Sequence, residues 1–489
     1  MIMDLERQYR TPLFDALVAL AESKKVSFHT PGHKSGKGIS TRFRKFVGHK
    51  IFSIDLTTLD EVDCLQKPIG VIKEAQELAA DAYGARHSFF LVNGTTGGNH
   101  AMVLAVCRPQ DKILVARNAH KSVVTGVILS GAQPVFFMPQ IDETRGIALN
   151  VTLPRTQAIL EAHPDAKAIF LTSPNYYGVC ADLKNIIALS KQKGLIVLID
   201  EAHGPHLRFH PQLPQPALEA GADACVQSTH KIIGGMTQSS MLHLKSEKIP
   251  VSTLTGVLHL IQSTSPSYVL MASLDLARMQ MATEGLKLLT KTIDLAQEAR
   301  ARINAIPGLH CFGEADLAAL NGGFSLDVTK LTISVRELGI TGFQASQILN
   351  QEFDVQVEMA DLYNMLVIVS IGDRRDDVER LVSALQQLPA KAEKGGRTQL
   401  LEAFPPIETK AKMLSREAYF APYKYVELKK AVGKTSADIV TIYPPGIPIL
   451  VPGELIGEEA ARYILTMAQA GARIDGLEDA ENPAVRVVK

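Results

Sequence analysis

Between residues 68 and 245, short apolar runs recur, separated by stretches with helical character. The runs are Ser88–Val92, Lys112–Ala116, Pro134–Met138, Ala168–Thr172, Leu195–Ile199, Ala224–Gln227 and Ser240–Leu244. Short runs that are apolar nearly throughout are the pattern of strands buried on both faces. Six or seven such strands with helices between them predict a mostly parallel α/β sheet. Sheets of this kind bind ligands outside the carboxyl ends of their strands. The residues that follow each run are therefore where chemistry is expected.

At 489 residues the chain is too long for one compact domain. Residues 1–66 form an N-terminal arm, with a helix at about 12–24 and a loop, HTPGHKSGKG (29–38). Residues 67–310 form the large domain and end in a long helix, about 268–305. Residues 316–390 alternate again (KLTISV, DVQVEM, MLVIVSI) and predict a smaller α/β domain, 311–395. The polar stretch AKAEKGGRTQ (390–399) is expected to be a linker into a C-terminal domain, 396–489. That domain carries a Pro-rich loop, IYPPGIPILVPGE (442–454), stiff because proline fixes φ.

Lys plus Arg and Asp plus Glu both number 51, so the basic excess of a nucleic-acid binder is missing. Five scattered cysteines without a CxxC pair argue against a disulfide framework or a structural zinc, and no metal site is expected. The N-terminus lacks an apolar signal core, and no apolar run approaches the roughly 18 residues of a membrane span. A cytoplasmic protein with reduced thiols is the expectation.

Four clusters follow the apolar runs. Ser228-Thr229-His230-Lys231 comes directly after Ala224–Gln227. A desolvated lysine there is a nucleophile for an aldehyde; a surface lysine at a strand end is the plain alternative. Asp200-Glu201-Ala202-His203-Gly204 follows Leu195–Ile199. An acid at the end of a buried strand needs a cationic partner, and a protonated pyridine nitrogen is one. A metal site or an ordinary strand-end acid would look the same. A helicase-like DExx motif would need an upstream phosphate loop, which is missing. Asn93-Gly94-Thr95-Thr96-Gly97-Gly98 precedes a helix beginning AMVLAV and can cradle a phosphate. Asn118-Ala119-His120-Lys121-Ser122 offers an imidazole able to stack on a flat ring, or a structural histidine. Each cluster alone is weak. Their order on successive strand ends is the layout expected for pyridoxal 5′-phosphate (PLP) in an aspartate-aminotransferase-like large domain.

The chain also resembles the Orn/Lys/Arg decarboxylase family, the prokaryotic fold-type-I group, almost end to end. The motifs are HTPGHKSG (29–36), KPIGVIKEAQELAADAYGA (67–85), NGTTGG (93–98), RNAHKS (117–122), SPNYYGVCADL (173–183), DEAHG (200–204), STHK (228–231), STSPSY (263–268) and YPPGIPILVPGE (443–454). The resemblance is greatest to the short bacterial arginine decarboxylases without an N-terminal wing domain. It implies a fold-type-I large domain with a seven-stranded sheet, a smaller α/β domain and a C-terminal α+β domain.

By the same resemblance, Lys231 holds PLP as a Schiff base, beside His230. Asp200 faces the pyridine nitrogen, His120 stacks on the ring, and His203 lies in the cofactor pocket. Gly94, Thr95, Thr96 and Ser228 bind the phosphate. Thr264 reaches it from a neighbouring subunit, which implies a homodimer or a higher homo-oligomer. Glu358 meets the distal cation of a small basic amino acid. The reaction implied is loss of CO₂ from that substrate, with His230 or Lys231 returning a proton to Cα. Arginine is favoured over lysine and ornithine because of the short-subgroup resemblance. An aminotransferase would clamp the substrate carboxylate with an arginine, and Arg374 and Arg375 are available. A non-catalytic PLP-binding regulator would be expected to lack part of the constellation or to carry a DNA-binding module. His29 and His33 have either an interface role or a structural one in their loop. Glu454 is a candidate second acid near a substrate entrance.

Overall fold

A computed structural model of the chain describes residues 4–23, 25–395, 410–443, 446–478 and 483–489. Seven strands make one sheet: β1 (His87–Leu91), β2 (Lys112–Ala116), β3 (Gln133–Phe137), β4 (Ala168–Thr172), β5 (Ile196–Asp200), β6 (Ala224–Gln227) and β7 (Ser240–Leu244). Their order is β1-β7-β6-β5-β4-β2-β3. Every expected run lies within one residue of an observed strand. β2 pairs in parallel with β3 and β4, whereas β7 is antiparallel to both β1 and β6. The reason for the exception is the connection from β6 to β7. It holds only the short helical turn Thr229–Ile232, and a parallel partner would need a full crossover.

The chain divides into two compact units. The first is Met1–Ala105, Ile199–Pro211 and Gln215–Leu289; the second is Val106–Leu198, Gln212–Pro214 and Thr290–Lys489.

In the first unit, the helix Pro12–Glu22 starts on proline, which suits a first turn because no N–H is needed there. It buries Leu13 and Leu17 with Ile72, Ala75 and Ala79 of the helix Val71–Tyr83 and with Tyr268 and Met271. Its first turn is held by Asp275, whose Oδ2 accepts from the N–H of Leu13 (3.0 Å) and Phe14 (3.3 Å). Arg278 completes the anchor. It pairs with Asp275 at 2.5 Å and donates to the carbonyls of Gln8 (2.6 Å) and Arg10 (2.7 Å). Both charges are 0% exposed, and burial at this depth is tolerable because the pair is also hydrogen-bonded.

In the second unit, an antiparallel sheet joins β8 (His310–Cys311), β9 (Lys330–Ser334), β10 (Met359–Ala360) and β11 (Asn364–Ile368) in the order β8-β9-β11-β10. The DVQVEM run is a strand only from Met359. The helix Gly342–Phe353 reaches that run and is capped by Asp354 in the left-handed region at φ 53°. Nor is the stretch 390–395 a linker: it continues the helix Arg375–Gly395. Residues 396–399 lie outside the described residues.

The C-terminal part holds β12 (Tyr423–Glu427), β13 (Val440–Tyr443), β14 (Ile447–Leu450), β15 (Arg473–Asp475) and β16 (Ala484–Val488), with the helix Glu458–Gln469. β13 and β14 make an antiparallel hairpin from the Pro-rich segment. Pro448 fits because β14 is an edge strand. Pro444 and Pro445 lie outside the described residues.

Candidate active site

In the first unit three strand ends converge. β5 ends on Asp200, which is 2% exposed. Its Oδ2 accepts from the Asn99 amide at 2.9 Å and its Oδ1 from the Ala202 N–H at 3.1 Å. Burial pushes its carboxyl above the ordinary value, opposed by the Asn99 bond and the charge of Lys231. Beyond β6, Lys231 lies in the turn Thr229–Ile232, partly buried, with Nζ 2.8 Å from Nε2 of His203. His203 is buried. His230 is tied to the residue just before β7 by Nδ1, 3.0 Å from the Ser239 carbonyl.

The third end follows β1. NGTTGG is not a loop before the helix: the helix is Gly94–Val106, and the motif forms its first turns. Glycine is a poor helix former by about 1 kcal/mol, so packing must favour it here. A Cβ on Gly98 would lie 2.3 Å from Val226 Cγ2 and 2.8 Å from Leu91 Cδ1. Only glycine lets this helix approach the sheet so closely. The approach brings Thr95 Oγ1 into a hydrogen bond with Ser228 Oγ and to 3.1 Å from Ser240 Oγ. Three buried hydroxyls thus meet where the helix begins. Thr96 is exposed, and so is Thr264, in the loop before Tyr268.

Sequence reasoning missed Asn99 and Ser240. Asn99 does carry a signal, as an amide ahead of an apolar helical run. Glu201 was also passed over. It is 1% exposed and accepts from the Ala217 N–H and the Gln227 amide, both at 2.7 Å. Gln227 Oε1 in turn lies 3.2 Å from His243 Nε2, and His243 Nδ1 lies 2.7 Å from Ser88 Oγ. Burial pushes Glu201 up to about 7 and His243 down to about 3.

The remaining candidates belong to the second unit. His120 caps the helix Lys121–Ser130, its Nδ1 accepting from the Ser122 N–H at 3.2 Å. Glu454 is not an entrance acid. It is buried and bonded to Arg117 at 2.9 Å and to the Val451 N–H at 2.9 Å. Arg117 also donates to the Ile449 carbonyl at 3.0 Å, a set of bonds that leaves the Glu454 charge compensated. Glu358 is exposed on a groove with Gln344, Gln347 and Arg473. Three residues on, Asp361 accepts from the Tyr177 hydroxyl at 2.9 Å. Arg375 pairs with Glu298 at 2.9 Å. In the N-terminal loop, His33 lies 3.1 Å from Asp55 and accepts from the Gly36 N–H at 3.1 Å; His29 is half-buried. Among the described residues the five cysteines are free, no cluster of metal-ligating side chains occurs, and no helix is long and apolar enough to cross a membrane.

A mainly parallel seven-stranded sheet with an amine-bearing turn and a buried acid at neighbouring strand ends defines a fold-type-I, aspartate-aminotransferase-like protein. The crystal structure of the Francisella novicida lysine decarboxylase LdcF shares this fold, with a TM-score of 0.83 at 23% identity, covering 99% of this chain and 82% of that one. The chain belongs to the Orn/Lys/Arg decarboxylase family, whose major domain matches residues 11–377 and whose C-terminal domain matches 397–482. An arginine decarboxylase of Bacillus anthracis is 43% identical over 486 residues, 99% of this chain and 98% of that protein. An arginine decarboxylase of Halalkalibacterium halodurans is 44% identical over 488 residues, 99% of each.

Proposed function

We propose that this chain converts L-arginine to agmatine and CO₂ with PLP held at the strand ends of the first unit. The observation that carries the reading is the Lys231–His203 contact of 2.8 Å beside the buried Asp200. Full-length identity to arginine decarboxylases, rather than a feature of the site, supports arginine over lysine.

The residues present fit the cofactor. Thr95, Ser228 and Ser240 offer three hydroxyls at a helix start, a suitable seat for a phosphate. Asp200 is an acid raised by burial, which a protonated ring nitrogen would return to its charged form. Lys231 supplies an amine for the aldehyde, and His203 Nε2 can take a proton from it. When bound, PLP supplies the electron sink that makes loss of the α-carboxylate feasible.

Asp200 would hold the ring of a bound cofactor in its cationic form. Asn99 orients the Asp200 carboxylate through Oδ2. Lys231 or His230 would return the proton to Cα, and His120 is the proposed stacking group for the ring. Thr264 would hold the phosphate of a second copy, in a homodimer or higher homo-oligomer in the cytoplasm. Glu358 receives the guanidinium. The proposed parts are an arm, 1–66, a cofactor domain, 67–310, a small domain, 311–395, and a C-terminal domain, 396–489.

Purified protein supplied with PLP is assayed against arginine, lysine and ornithine for CO₂ and the matching amine. Agmatine from arginine as the dominant product supports the proposal. A keto acid in place of CO₂, or faster turnover of lysine, would sink it.

A further inference from the structure

A cavity in the second unit is lined by four aromatic residues, Tyr177, Phe343, Tyr363 and Tyr463, by aliphatic residues such as Ile449, and by one acid, Asp361. Its empty space is about 640 Å³, part of it open to solvent. None of the residues assigned to the strand-end site lines it.

Asp361 sits in the turn between β10 and β11. Its Oδ1 accepts from the N–H of Tyr363 and of Asn364, both at 2.8 Å, and from the Asn364 amide at 3.0 Å. Its Oδ2 accepts from the Tyr177 hydroxyl at 2.9 Å and the Asn364 amide at 3.2 Å. These donors fix the carboxylate, yet all of them are neutral. Burial raises its pKa, opposed only by those hydrogen bonds. A poorly solvated carboxylate gains most from a nearby positive charge. The other walls favour a particular kind of cation. Aromatic faces attract organic cations, and the aliphatic side chains accept a carbon body. A hard metal ion would require several oxygen ligands, and this wall is mostly carbon.

We infer that this cavity binds an organic cation, an ammonium or guanidinium on a short apolar body, with the charge on Asp361 and the body against the aromatic wall. The amine formed by decarboxylating a basic amino acid has this chemistry. That link rests on the proposed function; the site itself does not.

The test is calorimetric titration of the full-length enzyme, with PLP, using n-butylammonium, n-butylguanidinium and neutral 1-butanol. Saturable binding of a cation is expected, at least about tenfold weaker in Asp361→Asn, with no saturable binding of the alcohol. The stronger of the two cations tells which head group the site prefers. Equal cation binding by the wild type and the variant, or equal binding of butanol, overturns the inference. Asparagine keeps the oxygen that the backbone donors need. Should the variant still fail to fold, a wild-type crystal soaked with 4-bromobenzylammonium decides the matter. An anomalous bromine peak in the cavity is expected, and its absence overturns the inference. Neither readout uses turnover, so a failure of the arginine assignment would leave this result standing.

Discussion

The side-chain nitrogen of Lys231 lies 2.8 Å from Nε2 of His203, a histidine that is 2% exposed. An imidazole so placed can take the proton that an ammonium must lose before it becomes a nucleophile. Lys231→Ala is expected to remove the visible absorbance of bound cofactor together with all measurable CO₂ release, while far-ultraviolet circular dichroism stays unchanged. His203→Ala should retain the absorbance but lower kcat by about a hundredfold, in line with loss of one general acid–base group. Full turnover in either variant would contradict the roles proposed.

Asp200 and Asn99 form the second testable pair, joined at 2.9 Å. Asp200→Asn cannot carry the charge that keeps a ring nitrogen protonated, so activity should fall by at least about a hundredfold. The apoprotein should not lose stability, because a desolvated carboxylate has been replaced by a neutral amide. Thermal unfolding without PLP, measured beside turnover with it, separates the two effects.

Glu201 should leave a mark on the pH dependence of stability. Its carboxyl is raised from 4.5 to about 7 by burial. In that window the folded chain holds a proton that the unfolded chain has released. The contribution is therefore complete below pH 4.5 and is lost as the pH rises to about 7. The whole effect is about 3 kcal/mol. Glu201→Gln should flatten this slope. Gln227 can turn its amide and His243 can change tautomer to accept the new donor. Urea midpoints from pH 4 to 8 for both proteins are the measurement, and parallel curves would refute the assignment.

Gly98→Ala tests the close approach of helix and sheet. The added methyl would sit 2.3 Å from Val226 Cγ2, so overpacking should cost about 1–3 kcal/mol. The shift also disturbs the Thr95–Ser228 contact, and weaker PLP affinity is expected alongside the lower denaturation midpoint.

The buried Arg117–Glu454 pair predicts a non-additive pattern. Arg117→Met alone removes the guanidinium bonded to a buried carboxylate and should destabilise by about 3–5 kcal/mol. Arg117→Met with Glu454→Gln should recover much of that loss. A double-mutant cycle on denaturation midpoints shows whether the coupling exists.

The sequence by itself determined the seven strands, the residues at their ends, and the family. Strand runs are encoded by near neighbours, and the motifs that follow them are contiguous, so Lys231 and Asp200 could be placed without coordinates. The helix start at Gly94 was misplaced, because glycine propensity argues against a helix and only contact with Val226 and Leu91 outweighs it. The apolar alternation of the DVQVEM run suggests a strand throughout, because it does not show where the preceding helix ends. Partners far apart in the chain were decided by tertiary structure alone. Asn99 meets Asp200 across 101 residues, and Arg117 meets Glu454 across 337. No local pattern fixes which buried donor a distant acid will find; the path of the folded chain does.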